Sequence, residues 1–202
     1  MSTKASVGVE RRRKADLVRQ EALEVGRRLL IDAGPRAITL KAIGAELGMS
    51  HANLIHHFGS AEAYQACLKD LMVQDLTRQV TTIVSGPQGA APDTAALVEK
   101  VFAAYGRGGI AMLMAWSALT GAPHDEAGLA ATTRELVAAL TPLIDSADAA
   151  ARAREIVALV TLLAFADSLI GASLADAVGA PRDAVRRLAA RLVEGLACRD
   201  AG

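Results

Sequence analysis

The sequence predicts an all-α fold, and three observations lead to that class. Apolar residues make up 52% of the chain while aromatic residues make up 3%, so Ala, Leu and Val carry most of the hydrophobicity. Ala and Leu favour helices, whereas strands prefer aromatic and β-branched residues. Apolar residues also recur at helical spacing between Gly- and Pro-containing breaks, and no convincing strand run is present. At 202 residues the chain suits two small domains or one large one.

The first sixty residues predict a three-helix domain at 13–60, preceded by a disordered basic leader at 1–12. Its helices are predicted at 13–33, 40–47 and 51–57. Gly34 and Gly48 end the first two, because glycine readily adopts the left-handed conformation found after helix ends. Thr39 and Ser50 precede the second and third, where a hydroxyl can cap free backbone N–H groups.

The remaining chain predicts a connecting helix and a helical C-terminal domain. The connecting helix covers residues 61–85, and the Gly- and Pro-containing loop that starts at Gly86 opens the second domain, 86–202. Five helices are predicted in that domain, at 94–105, 110–120, 129–144, 149–177 and 182–197. Pro142 is expected to end or kink the helix that contains it.

Two features bear on the compartment in which the protein works. Ile156–Ala175 is nearly all apolar and about long enough to span a bilayer. Asp167 lies in its middle, however, and a bundle core or a subunit interface needs the same kind of helix, so we expect no membrane span. Cys67 and Cys198 are isolated and form neither a disulfide framework nor a zinc signature, and the polar N-terminus lacks the apolar core of a signal peptide. We therefore expect a cytoplasmic protein with reduced thiols.

Charge is unevenly distributed along a chain whose formal net charge is zero. Residues 1–60 contain ten Lys and Arg against six Asp and Glu, a balance of +4, and the rest contains twelve against sixteen, a balance of −4. A basic N-terminal segment followed by an acidic remainder suggests that the N-terminal segment binds an anion. Ordinary charge scatter explains a balance of this size equally well.

Two short helices joined by a turn at Gly48 have the spacing of a DNA-binding helix-turn-helix. Tight glycine turns are common in helical proteins, so this spacing alone is a weak indication. The wider stretch AITLKAIGAELGMSHANLIHHFGSAEAY, preceded by EALEVGRRLLIDAGPR, closely resembles the N-terminal domain of the TetR family of regulators. The likeness covers about Ala22 to Leu68, and it implies an N-terminal three-helix DNA-binding domain followed by a helical ligand-binding and dimerisation domain.

The resemblance implies DNA contacts for residues of the second and third helices. Thr39 and Lys41 should donate to phosphate oxygens, and Asn53 suits the major-groove edge of adenine. The candidate DNA-binding residues are Thr39, Lys41, Ser50, His51, Ala52, Asn53, His56 and His57. The alternative for each is a helix cap or a side chain that faces water.

Two positions depart from the family pattern. Ile55 stands where the family usually has a Tyr that supports a phosphate contact, and Ala61 stands where it usually has a Lys. The loss of two phosphate contacts should weaken DNA binding and flatten its salt dependence by about one or two units of slope. His56 and the basic run at residues 11–14 could compensate, unless that run is a solvated tail.

The resemblance also implies that the C-terminal domain dimerises and holds a small molecule. The candidate dimer-interface residues are Leu162, Leu169, Val185, Leu188, Leu192 and Leu196, from which two copies would build a four-helix bundle. The candidate ligand-binding residues are Phe102, Tyr105, Met112, Met114, Trp116, Phe165 and Asp167. A packed core is the alternative for the large apolar ones, and Asp167 could instead bond a helix across the interface.

Together these features predict a sequence-specific DNA-binding regulator, a repressor that a small-molecule ligand releases from a palindromic operator. The alternative is a TetR-like DNA-binding protein controlled by a protein partner. We expect no enzyme, cofactor or metal site, since no nucleophile–base pair or metal signature is visible and the His124–Glu126 run is too short a pattern.

Overall fold

The computed structural model describes residues 3–86, 93–120 and 126–197, and all regular structure in these ranges is helical. The α-helices are α1 (Thr3–Ala33), α2 (Leu40–Leu47), α3 (His51–Phe58), α4 (Ala61–Val84), α5 (Thr94–Tyr105), α6 (Ile110–Thr120), α7 (Glu126–Leu140), α8 (Ala149–Ala166), α9 (Ala172–Val178) and α10 (Ala184–Ala197). Short 3-10 turns lie at Pro35–Ala37 and Thr141–Leu143. A π-helical turn, Asp167–Gly171, joins α8 to α9. The predicted all-α class is confirmed.

Two helices that begin after a capping side chain and end at a glycine have the predicted bounds. α2 begins after Thr39, whose hydroxyl accepts a hydrogen bond from the Ala42 N–H, and it ends at Gly48, which is left-handed at φ 64. α5 begins after Asp93, whose carboxylate accepts from the Ala96 N–H at 3.0 Å, and ends before Gly106. A cap at one end and a glycine at the other satisfy backbone groups that the helix itself leaves unpaired.

The predicted disordered leader is wrong from Thr3 onward, because α1 begins there rather than at Arg13. Half of the added residues are Ala, Lys, Glu or Arg, which are good helix formers, and the single glycine, Gly8, costs only about 1 kcal/mol. The segment contains no stop signal that would separate it from the rest of α1.

Two predictions in the C-terminal half are also corrected. The helix predicted at 129–144 begins earlier, at Glu126, and ends at Leu140, because Pro142 cannot continue an α-helix and lies in the following 3-10 turn. The helix predicted at 149–177 is interrupted by the Asp167–Gly171 turn.

The chain divides into two compact units. The first comprises Met1–Leu71 with Trp116–His124, and the second comprises Met72–Ala115 with Asp125–Gly202. This division differs from the predicted boundary at residue 86. Composition marks residue 86 as a loop, but the second half of α4 packs within the second unit and belongs to it.

The core of the first unit is centred on Tyr64, which is 1% exposed. Its hydroxyl donates to the Ala22 carbonyl at 2.6 Å, and its ring packs edge-on against Phe58 with the centroids 4.8 Å apart. Burial raises the pKa of the Tyr64 hydroxyl, which keeps it protonated as a donor. A Cβ at Gly26 would lie 1.9 Å from this hydroxyl, so α1 needs a glycine there.

In the second unit α8 packs against α5, α7 and α10. Small residues suit this packing, since Ala153, Ala164 and Ala189 are fully buried. Arg152 at the start of α8 donates to the carbonyl of Leu196 at 3.2 Å, which fastens the end of α10 to it.

The π-helical turn is held by an ion-paired cluster. Arg186 of α10 donates to Asp167 Oδ2 at 3.4 Å and to Glu99 of α5 at 3.2 Å, and its guanidinium lies 5.6 Å from the Phe102 ring centroid. A Cβ at Gly171 would lie 2.3 Å from Asp167 Oδ1, so the turn needs a glycine there to keep Asp167 in this place. Asp167 is thus paired within its own chain.

Candidate nucleic-acid interface and internal cavity

The α2–α3 corner depends on a close backbone approach at Gly44. A Cβ on Gly44 would lie 2.6 Å from the Met49 carbonyl oxygen, and the Met49 N–H donates to the Gly44 carbonyl at 2.8 Å. Gly48, left-handed at φ 64, then redirects the chain into α3. The two helices therefore meet as a tight helix-turn-helix, as the spacing predicts.

Hydroxyl caps fix where the helices of this corner begin. Thr39 accepts from the Ala42 N–H at 3.1 Å, and Ser50 accepts from the Asn53 N–H at 3.2 Å. The predicted capping roles of Thr39 and Ser50 are confirmed. Each hydroxyl keeps its own proton, so a second bond to a phosphate remains open to it.

The two faces of α3 differ sharply in exposure. Leu54 and Phe58 are buried against the rest of the first unit. The outer face is exposed and presents Ser50, His51, Ala52, Asn53, Ile55 and His56. Thr39 and Lys41 are exposed as well, while His57 is half-buried. Their contacts with DNA stay a prediction.

Arg19 is a positioning residue that the sequence pattern did not reveal. Its guanidinium donates to the carbonyl of His57 and stacks 4.7 Å from the Phe58 ring centroid. A second nitrogen lies 3.6 Å from the Cys67 sulfur. A cation at the last turn of α3 complements the negative end of the helix dipole and ties α3 to α1. Only the long-range packing of α1 against α3 identifies this role.

Residues 22–63, from the second half of α1 to the first turn of α4, match the family model described as bacterial regulatory proteins, tetR family. This part of the chain is therefore similar to the N-terminal domain of TetR-family regulatory proteins, and the predicted resemblance is confirmed. Members of this family are DNA-binding transcriptional regulators. No curated protein matches the chain.

Solved structures share the fold of this chain over nearly its whole length. A TetR-family transcriptional regulator from Pectobacterium atrosepticum is 15% identical with a TM-score of 0.67, covering 92% of this chain and 94% of that one. Reduced NemR from E. coli is 15% identical with a TM-score of 0.62, covering 89% and 97%. A protein with unknown function from Rhodococcus sp. RHA1 is 26% identical with a TM-score of 0.59, covering 89% and 95%.

The second unit contains a cavity of about 120 Å³ between its helices. Its lining comes from α4, α5, α7, α8 and α10 and consists of Val73, Leu76, Thr77, Val80, Leu97, Val98, Val101, Tyr105, Thr132, Thr133, Leu136, Leu140, Ile156, Val157, Val160, Thr161 and Val193. None of these described lining residues is charged. The walls are thus aliphatic, with four threonines and one tyrosine as the polar groups.

Tyr105 is the one predicted ligand-binding residue among the described residues that line this cavity. Phe102 is 1% exposed and fills the core, while Met112 is 44% exposed at the surface. Trp116 belongs to the first unit, and Asp167 borders a second cavity between α8, α9 and α10. Met114 and Phe165 are half-buried elsewhere. These six residues do not line the cavity, and their contacts with a ligand stay a prediction. Large side chains fill space, whereas the cavity lies where branched aliphatic side chains leave room.

Tyr105 and Thr161 are two of the polar residues that line the cavity. Burial raises the pKa of the Tyr105 hydroxyl, an effect that Thr161 partly offsets. Tyr105 is therefore a neutral phenol at physiological pH. It is 7% exposed and is one of the residues that line the cavity.

Many large apolar side chains of α8, α9, α10 and the π-helical turn are exposed. Leu162, Leu169, Leu188 and Leu192 of the predicted dimer interface are exposed, Leu162 by 67% and Leu188 by 56%. Val185 and Leu196 are half-buried. The exposed surface also includes Ile170, Leu174 and Val178, which the prediction omitted.

Among the described residues, Ala149–Val178 is the one helical stretch with the length and apolar composition to cross a membrane, and 22% of its apolar window is buried in a single chain. Single helices in soluble proteins meet the same criterion, so this is weak evidence for a membrane span. The described residues contain no group of three or more side chains suited to a metal ion. The weak His124–Asp125 pattern lies outside the described residues.

Proposed function

We propose that this protein is a cytoplasmic repressor whose dimer binds a palindromic operator and releases it when a small molecule enters the second unit. The observation that carries the DNA-binding part is the exposed outer face of α3, held at a fixed angle by the Gly48 turn and the close contact at Gly44. The first unit, including residues 13–60, is then the DNA-binding domain.

Recognition of the operator is assigned to the N-terminal half of α3, placed in the major groove. Asn53 offers an amide that pairs with both N6 and N7 of adenine, and Ser50 and His51 can reach neighbouring bases. Thr39 and Lys41 are exposed at the start of α2 and suit phosphate oxygens. Ile55 is 36% exposed and offers no donor, so this chain relies on fewer phosphate contacts than the family pattern provides.

Dimerisation is assigned to the apolar surface of α8, α9 and α10. Water-exposed leucines on adjacent helices are unfavourable in an isolated chain, and a second copy would bury them in a four-helix bundle. The Arg186–Asp167 ion pair satisfies the acidic residue within the chain, so an apolar interface can form around it. Two-fold symmetry of the dimer predicts two-fold symmetry of the operator.

Coupling between ligand and DNA is assigned to α4. Val73, Leu76, Thr77 and Val80 of α4 line the cavity, and the same helix begins two residues after the end of α3. A ligand that displaces the lining part of α4 can therefore move the recognition helix through a continuous helix. By linkage, operator DNA must weaken ligand binding by the same factor.

Selection from fragmented genomic DNA tests the proposal directly. Purified protein is incubated with fragments at two salt concentrations, and the retained DNA is sequenced. Recovery of one palindromic motif at both concentrations supports an operator-binding dimer. Retention of random sequences that disappear at the higher salt would contradict it, since non-specific binding is dominated by counterion release. An operator complex that no small molecule dissociates would favour control by a protein partner.

A further inference from the structure

We propose that the cavity of the second unit binds an uncharged, largely aliphatic molecule that carries one oxygen acceptor, such as a ketone or an alcohol. The inference deepens the proposed function by naming the ligand class. It rests on that function only for the claim that such a ligand releases DNA.

The first argument is the absence of a charged partner for the ligand. The described lining consists of aliphatic residues, threonines and Tyr105. Charged residues next to the lining in sequence, such as Lys100 on α5 and Glu194 on α10, are not among the residues that line the cavity, and neither is Arg186, which pairs with Glu99 and Asp167. An ammonium or carboxylate would lose its hydration without gaining an opposite charge, which is strongly unfavourable.

The second argument is the hydrogen-bonding capacity of Tyr105, which lines the cavity together with Thr161. A tyrosine hydroxyl can accept one bond and donate another. Burial raises the pKa of Tyr105, so the hydroxyl keeps its proton. The Tyr105 proton is then available to an acceptor oxygen inside the cavity. A carbonyl or hydroxyl supplies that acceptor without a charge.

The third argument is the shape of the walls. Val98, Val101, Val157 and Val160 are β-branched and stiff, and Tyr105 is the one aromatic ring among the described lining residues. Such walls suit a narrow aliphatic chain better than a large planar ring system, which usually finds aromatic side chains to stack on.

Matched eight-carbon probes test this assignment on the full-length protein. 2-Octanone, 1-octanol, octanoate and octylammonium share a chain and differ in the head group, and binding of each is measured by calorimetry at pH 7. The ketone and the alcohol are expected to bind, and the two ions to bind at least about tenfold more weakly. An ion that binds as tightly as the ketone, or binding of none of the four, overturns the proposal.

Two tyrosine variants locate the polar contact. Tyr105→Phe should weaken 2-octanone binding by about three- to tenfold, the usual range for one neutral hydrogen bond. Tyr64→Phe makes the same change at a buried tyrosine of the first unit that does not line the cavity, and it should leave ketone affinity unchanged. Equal affinity of wild type and Tyr105→Phe for 2-octanone would contradict the role of the Tyr105 proton.

A cavity-filling variant separates this inference from the proposed function. Val157→Phe should abolish binding of the ketone and the alcohol while operator binding is retained. If neutral probes bind the wild type but never release operator DNA, the inference stands and the proposed ligand control fails. If a charged probe binds and releases DNA, the ligand control stands and the inference fails.

Discussion

Replacing Gly26 by alanine tests how closely α1 and α4 approach each other in the first unit. In an unobstructed helix interior this substitution stabilises a protein by about 1 kcal/mol, because glycine loses more backbone entropy on folding. At Gly26, however, the new Cβ would lie 1.9 Å from the Tyr64 hydroxyl and 2.9 Å from Cζ of the same ring. The sign of the effect therefore depends on whether the Tyr64 side chain can move.

We expect it to move only at a considerable cost. Overpacking a core usually costs about 1–3 kcal/mol. Displacing the hydroxyl also breaks its 2.6 Å bond to the Ala22 carbonyl, which is buried, at a further cost of about 1–3 kcal/mol. After the helix-propensity gain is subtracted, Gly26→Ala should lower the free energy of unfolding by about 1–5 kcal/mol.

Urea unfolding followed by tryptophan fluorescence measures this effect in the right part of the molecule. Trp116 is the single tryptophan of the chain and belongs to the first unit, where its ring centroid lies 5.7 Å from the Arg36 guanidinium. With a slope of about 2 kcal/mol per molar urea, the midpoint should fall by about 0.5–2.5 M.

A double-mutant cycle is the control. Tyr64→Phe removes the atom nearest to the added Cβ, so Gly26→Ala should cost at least about 1 kcal/mol less in that background, although the contact with Cζ remains. A Gly26→Ala protein that is more stable than wild type, or equal costs in the two backgrounds, would refute the reasoning.

Four further substitutions address the helix-turn-helix and the predicted dimer surface. Asn53→Ala should reduce the preference for operator over random DNA by about 1–3 kcal/mol, as measured by fluorescence anisotropy. Lys41→Ala should weaken binding to operator and to random DNA alike, and it should lower the slope of the salt dependence by about one. If Asn53→Ala weakened binding to the two DNAs equally, the base-reading role of Asn53 would be contradicted. Gly48→Ala should lower the free energy of unfolding in urea by about 1–2 kcal/mol, because alanine is strained at the glycine's φ of 64. No steric clash adds to this cost, since nothing lies within 4 Å of the added Cβ. An unchanged unfolding midpoint would show that the turn relaxes. Leu188→Glu should shift the protein from dimer to monomer in sedimentation equilibrium, and an unchanged mass would exclude this surface as the interface.

The fold was predictable wherever local chemistry marks both ends of a helix. α2 has a hydroxyl cap at Thr39 and a left-handed glycine at Gly48, and its predicted bounds are correct. α1 carries no start signal at Arg13, so its first turns were missed. The π-helical turn was missed for another reason. Gly171 and Asp167 look ordinary in sequence, and only the structure shows that a Cβ on Gly171 would lie 2.3 Å from Asp167 Oδ1.

The outer face of α3 was predictable because helical periodicity separates buried Leu54 and Phe58 from the residues that face away. The cavity was not predictable in the same way. Val98, Val160 and Thr161 recur at helical spacing as core residues do, and a cavity is the space left between such residues of different helices. Arg19 was missed because its partners His57 and Phe58 lie about forty residues away in the chain.

The Asp167–Gly171 turn also has an evolutionary consequence. Along an uninterrupted α-helix at about 100° per residue, Leu174 and Val178 would lie about 120° and 160° around the axis from Leu162. A π-helical turn absorbs one extra residue and brings both back to within about 60° of Leu162. Loss of a single codon in this turn would leave a continuous helix but would rotate all later residues of the helix around its axis. Related chains could therefore acquire a new subunit arrangement, and lose the ability to pair with their ancestor, by a change of one residue in length.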